Sequence, residues 1–303
     1  MKKGRSLLVV GAFIMSCPVV FGQGDYAFKV LANKGTNEIK SGNTWVAVKT
    51  GAALHKDDEL KLAENSYIGL VSVTGKPLEL KSAGSYSVVE LLNKVSQKDP
   101  SVLNKYTDFI LSSNSAEAKK NRLSATGGSH RGPVKELKLN LPDNSKTEVF
   151  NNTVIITWEK SSGPYVVTLK NMFDETLGTI ETPETSVQVD LADKAYVNES
   201  AILVEVTSKG DKLKSRQALL KKMTPGQSEK VKKELTELGS TVTDATALNK
   251  MILAGFYEEH KLYIDALTAY QEAIKLAPDV PSYKEAYDEC VLRNVPTLVS
   301  SGN

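Results

Sequence analysis

Thiols and imidazoles are scarce in this sequence. Cys17 and Cys290 are its only cysteines, and His55, His130 and His260 its only histidines. If Cys17 leaves with an N-terminal leader, Cys290 has no partner and no intramolecular disulfide can form. The domains must then stand on their own cores. Cys290 lies in a helix-like stretch, YKEAYDECVL, and reads as a small packed residue rather than a nucleophile. No histidine has another at H-x-x-x-H spacing, so no metal site and no cofactor are expected. Charge of one sign is also missing. The formal net charge is +2, and removal of Lys2, Lys3 and Arg5 with the leader makes the remainder near neutral. A near-neutral chain lacks the basic face that displaces counterions from nucleic acid, so no nucleic-acid partner is expected. Beyond the leader, no stretch approaches the ~18 apolar residues of a membrane-spanning helix.

What is present begins with that leader. MKKGRSLLVVGAFIMSCPVVFGQ has a basic start, an apolar run from Leu7 to Phe21, and small Gly22 before Gln23. It reads as a secretory signal over 1–22, cleaved after Gly22, which places the chain in the periplasm or cell envelope. The alternatives are an uncleaved anchor and lipid attachment at Cys17. VVFG follows Cys17 where a lipoprotein would usually turn polar, which favours cleavage.

Residues 24–91 read as β structure. YAFKVLA, TWVAV, YIGLVSV and YSVVELL are rich in β-branched and aromatic residues, and turn signals KGTN, KSGN, GKP and SAGS separate them. The stretch from Trp45 to Val88 resembles the FecR-like β domain. The carrying residues are Gly51, Leu54, Asp57, Asp58, Leu60, Leu70, Gly75 and Leu80. FecR proteins pair this domain with a cytoplasmic segment that controls a sigma factor. No such segment precedes the leader, so that role is not expected to carry over. A short helix over 99–112 completes a first unit at 24–112. Residues 113–132, polar and dense in Gly and Ser, read as a partly mobile linker.

Residues 133–212 return to alternating strands. Their tryptophan late in one strand and Tyr-led next strand resemble a fibronectin type III or other Ig-like sandwich. The carrying residues are Trp158, Tyr165, Val167, Val187, Val189, Leu203 and Val206, expected on one buried face.

From Thr224 the chain reads as helical, over 222–296. Thr224-Pro225 suits a cap followed by proline at N1, and Thr243 or Asp244 suits the start of the next helix. Residues 245–280 resemble a tetratricopeptide (TPR) repeat, through Ala254, Tyr257, Tyr263, Ala266, Tyr270, Ala273 and Pro278. Alanines let two helix backbones approach, and tyrosines fill the gaps beside them. With flanking helices this gives about one and a half repeats, too little for an extended groove. The combination of exported leader, FecR-like, sandwich and TPR-like parts resembles Bacteroidetes envelope proteins.

No reaction chemistry stands out. HKDDE around His55 reads as a polar turn, and GGSHRG as a hinge lacking both the G-x-S-x-G and phosphate-loop patterns. Glu258, Glu259, Asp265 and Glu272 read as a solvated helix face. The expectation is a multidomain β + α, non-catalytic envelope protein that docks a protein partner through Tyr257, Tyr263 and Tyr270. The competing class is a binder of peptidoglycan or polysaccharide through the β domains. Trp45, Tyr67 and Tyr86 discriminate: a solvent-facing platform favours sugar, and burial favours the scaffold.

Overall fold

Two antiparallel four-stranded sheets begin the chain. The computed structural model describes residues 26–95, 103–125, 136–238 and 245–295. The leader and His130 lie outside these residues. The first strands are β1 (Phe28–Lys34), β2 (Asn37–Ser41), β3 (Thr44–Ala47), β4 (Ala53–Leu54), β5 (Glu59–Leu62), β6 (Tyr67–Ser72), β7 (Pro77–Leu80) and β8 (Gly84–Ser87). One sheet runs β4-β1-β6-β7 and the other β3-β2-β5-β8. Phe28, Val30, Leu54, Leu60, Ile68 and Leu70 form a core between them. Gly51 and Gly75 both take positive φ, which explains glycine at these turns.

Strand β6 is buried along its whole length. Its continuous apolar run, YIGLVS, has a physical cause. Ile68 and Leu70 face the second sheet, whereas Tyr67 and Val71 join a different core made mainly of helices. Alternate side chains point to opposite faces, so a strand covered on both sides must be apolar on both.

Three helices follow: α1 (Val88–Val95), α2 (Leu103–Ser113) and α3 (Ala116–Ala125). Helix α3 corrects the expected linker, because it occupies much of 113–132, while residues 126–132 lie outside those described. Alanine, lysine and glutamate in AEAKK are good helix formers, and that propensity outweighed the polar composition.

The middle unit contains β9 (Glu148–Val149), β10 (Thr153–Thr157), β11 (Tyr165–Lys170), β12 (Thr176–Thr182), β13 (Ser186–Asp190), β14 (Ala201–Ser208) and β15 (Ala218–Lys222). A five-stranded sheet, β12-β11-β14-β15-β9, packs against the pair β10-β13, with Trp158, Tyr165, Val167, Val189 and Val206 in the core. All pairings are antiparallel except β15 with β9. Leu203 departs from expectation. On β14 the buried core positions are Ile202, Val204 and Val206, so the alternation turns Leu203 to the opposite face.

Four helices end the described chain: α4 (Pro225–Glu237), α5 (Ala247–Glu259), α6 (Tyr263–Leu276) and α7 (Pro281–Asn294). Thr224 caps α4 with Pro225 at N1, whereas α5 is capped by Thr246, whose side chain accepts from Asn249 N–H at 3.2 Å. The chain is thus mixed β and α. Among the described residues, no helix is long and apolar enough to cross a membrane.

Helix α5 is apolar on nearly every side, with ten of its residues buried from Ala247 to Glu258. A helix with that pattern belongs inside a protein. The largest core joins α5, α6 and α7 to Tyr106 and Ile110 of α2 and to Leu31, Tyr67 and Val71 of the first unit. The helices sit between the two β units.

Candidate functional site at the helical junction

Helix α6 meets the middle unit through Asp265, in its first turn. Its carboxylate accepts from Phe150 N–H at 2.9 Å, and from the backbone N–H and side-chain amide of Asn151, each at 2.8 Å. One turn along, Thr268 Oγ1 accepts from Ile155 N–H at 3.0 Å. These bonds satisfy backbone donors of the β9–β10 turn and the β10 edge, which packing on a helix would otherwise orphan. Asp265 is only 1% exposed. Burial pushes its carboxyl up to about 6, against the opposing effect of the three donors. Beside it lies a cavity of about 260 Å³, lined by Asn151, Lys250, Tyr257, Asp265, Thr268 and Glu272.

Helices α5 and α7 meet the first unit on their other side. Glu79 accepts from Leu248 N–H at 2.9 Å, at the start of α5. Burial pushes Glu79 up, but bonds from Leu248, Lys81 and Tyr67 outweigh it and hold the carboxyl below its usual range. The hydroxyls of Tyr67 and Tyr283 are 2.5 Å apart, and burial, with Tyr283 beside it, drives the Tyr67 phenol far upward. Ion pairs Lys34–Asp279 and Lys29–Asp108 flank the contact.

A third cluster ties the helices to one another. Arg293 grips Glu258 with Nε and Nη2, each at 2.9 Å, and Nη1 reaches Ser113 O at 3.2 Å and Asn114 Oδ1 at 3.1 Å. Asn294 adds a bond to Glu258 at 2.9 Å. The guanidinium fork matches the carboxylate in two-point geometry, which suits a pair shut away from water. Cys290 is buried beside it, and desolvation drives its thiol well above the ordinary range, which leaves it inert.

No protein-family model matches this chain, and no curated protein does. The function must therefore be read from these contacts.

Of the three tyrosines expected to meet a partner, Tyr270 is fully buried and Tyr257 nearly so. Tyr257 packs on Phe150 of the middle unit, with ring centroids 6.2 Å apart, and burial pushes its phenol up to about 12. Tyr270 points its hydroxyl at Glu258 from 3.5 Å. Tyr263 is half-exposed, with the Lys146 ammonium 5.4 Å from its ring centre. The expected solvated acidic face is corrected too. Glu258 and Asp265 are buried, Glu259 pairs with Lys105 and Glu272 with Lys250, each at 2.6 Å. The sequence signal for this was the spread of apolar residues around α5, which leaves too little polar arc for a surface helix.

Of the discriminating aromatics, Tyr67 is buried and Tyr86 half-buried, its hydroxyl donating to Ser82 O at 2.7 Å. Trp45 is exposed. The HKDDE turn is stitched by Asp58, which accepts from His55 N–H at 2.7 Å. His260 lies beside Glu234, 2.5 Å from its Nε2, and joins α5 to α4. Among the described residues, no three His, Cys, Asp or Glu side chains gather to hold a metal.

Proposed function

We propose that the protein is a non-catalytic scaffold of the cell envelope, exported by its leader, that presents two β units in a fixed relation to a protein partner. In this reading the first unit is a FecR-like domain, the middle unit an Ig or fibronectin type III-like sandwich, and the helical end a TPR-like hairpin. The observation that carries it is the double occupancy of α5–α7. Asp265 and Thr268 hold the middle unit from one side, while Leu248 and Tyr283 hold the first unit from the other. A hinge or an induced clamp would not be built with hydrogen-bonded, apolar contacts on both sides of one helix layer.

The non-catalytic reading is supported by the fate of the buried acids. Glu258 is neutralised by Arg293, and Asp265 is engaged by three donors, so both serve as bridges. Docking through the helical end then falls to side chains that remain outside: Tyr263, and Lys284, Glu285 and Leu292 of α7. Leu292 is 64% exposed, high for a leucine on a helix that buries Tyr283, Ala286, Tyr287 and Cys290.

The test is chemical cross-linking and capture from envelope extract of the native cells, with full-length protein and a Leu292→Glu, Lys284→Glu variant. Both should unfold at the same midpoint, since these positions are exposed. The variant should lose a specific protein that the parent retains. Equal capture by both proteins would sink docking through α7.

A further inference from the structure

The face of the β3-β2-β5-β8 sheet turned away from the first core carries one large aromatic side chain. Register puts Trp45 opposite Lys40, Lys40 opposite Glu59, and Lys61 opposite both Glu38 and Ser85. Ile39, Leu60 and Leu62 belong to the alternate, buried face. The indole centre lies 5.8 Å from Lys40 Nζ and 5.7 Å from Lys61 Nζ. Strand β5, which carries Lys61, is two strands from Trp45, or about 10 Å at ordinary spacing. The indole therefore reaches across β2 and lies over the sheet instead of standing off it. Its residue is 36% exposed, on a strand that is exposed throughout.

Both ammoniums sit at the indole without a carboxylate partner among the described residues, although Glu38 and Glu59 occupy neighbouring places on the same face. An exposed ring with the ammoniums of Lys40 and Lys61 over it joins two kinds of recognition. The ring offers a flat apolar surface, and the ammoniums offer charge that an anion can use. The remainder of the face is Ala47, the two glutamates, and the hydroxyls of Ser85 and Ser87. A protein partner would need an apolar centre wider than one indole. Nucleic acid would meet the two glutamates and a near-neutral chain.

We propose that this face binds an acidic carbohydrate. The C–H face of a sugar ring stacks on Trp45, its carboxylate meets Lys40 and Lys61, and its hydroxyls meet Ser85 and Ser87. The residues of this face are spread across four paired strands, which suits a polymer lying across it more than an isolated sugar.

The chain carries its own optical control, because its only other tryptophan, Trp158, is 3% exposed in the middle core. Full-length protein is titrated with an oligomer of galacturonic acid, a glucose oligomer of equal length, and a single-stranded oligonucleotide. Galacturonate should perturb the fluorescence of Trp45 while the buried Trp158 contribution stays constant. Trp45→Ala should weaken its binding, measured by calorimetry, about tenfold or more. Lys40→Gln with Lys61→Gln should remove the preference for the acidic over the neutral oligomer. All these positions are exposed or half-exposed, so an unchanged unfolding midpoint checks the fold. No binding of galacturonate at millimolar concentration, or equal binding by Trp45→Ala, overturns the proposal. So does tighter binding of the oligonucleotide.

Discussion

Asp265 shows how a single carboxyl can couple the fold to pH. Burial raises its carboxyl from the ordinary 3.8 to about 6 in the folded protein. The folded protein therefore holds this proton over a range where the unfolded chain has released it. Stability from this group is fully present below about 3.8 and is lost as pH rises through about 6. The full difference is on the order of 3 kcal/mol. Asp265→Asn should flatten the rise in melting temperature between pH 7 and pH 5, read by calorimetry on both proteins. Asp265→Ala should instead destabilise at every pH, by roughly 2–4 kcal/mol, because Phe150 and Asn151 would lose their acceptor. Arg293 offers a contrasting case. Arg293→Met leaves Glu258 buried without a counter-charge and should cost about 3–5 kcal/mol in denaturant titration, whereas adding Glu258→Leu should recover much of it. Little of this was legible in the sequence. Asp265 and Glu258 look like helix-surface acids when spacing alone is read, because their partners lie 114 and 35 residues away in the chain.

At the scale of elements, most strands and helices were legible and their surroundings were not. Strand segments in the first and middle units announced themselves through β-branched runs and glycine turns. Thr224-Pro225 marked the start of α4, whereas α5 is capped by Thr246 and not by Thr243 or Asp244, which lie outside the described residues. What periodicity could not give was the second face of β6 or the enclosure of α5, since both depend on neighbours from distant parts of the chain. Glycine marks one such neighbour. A Cβ on Gly255 of α5 would come within 2.7 Å of Ile110 Cδ1 and 3.3 Å of Tyr106 O on α2. Gly255→Ala should thus destabilise by about 1–3 kcal/mol despite the better helix propensity of alanine. Trimming Ile110 to valine in the same protein should restore part of the loss. A stabilised Gly255→Ala protein in thermal unfolding would mean that α2 and α5 do not pack this closely.

For the whole molecule, the decisive feature is one core that runs from the first sheet through the helices, with the middle unit bolted to its far side. Shared burial should make unfolding a single cooperative transition. Denaturant curves followed by Trp45 and Trp158 emission, one probe in each β unit, should coincide. A chain ending at Leu238 would bare Leu31, Tyr67 and Val71 together with the β10 edge. It should bind a hydrophobic dye and aggregate, and a soluble, dye-silent product would show that the first unit is self-sufficient. Chain order adds a temporal consequence. The cover for the first sheet, α5 to α7, is synthesised after the whole middle unit. Until those helices emerge, an early-made sheet carries a sticky back, so nascent protein has a long window of vulnerability that a holding chaperone would have to bridge.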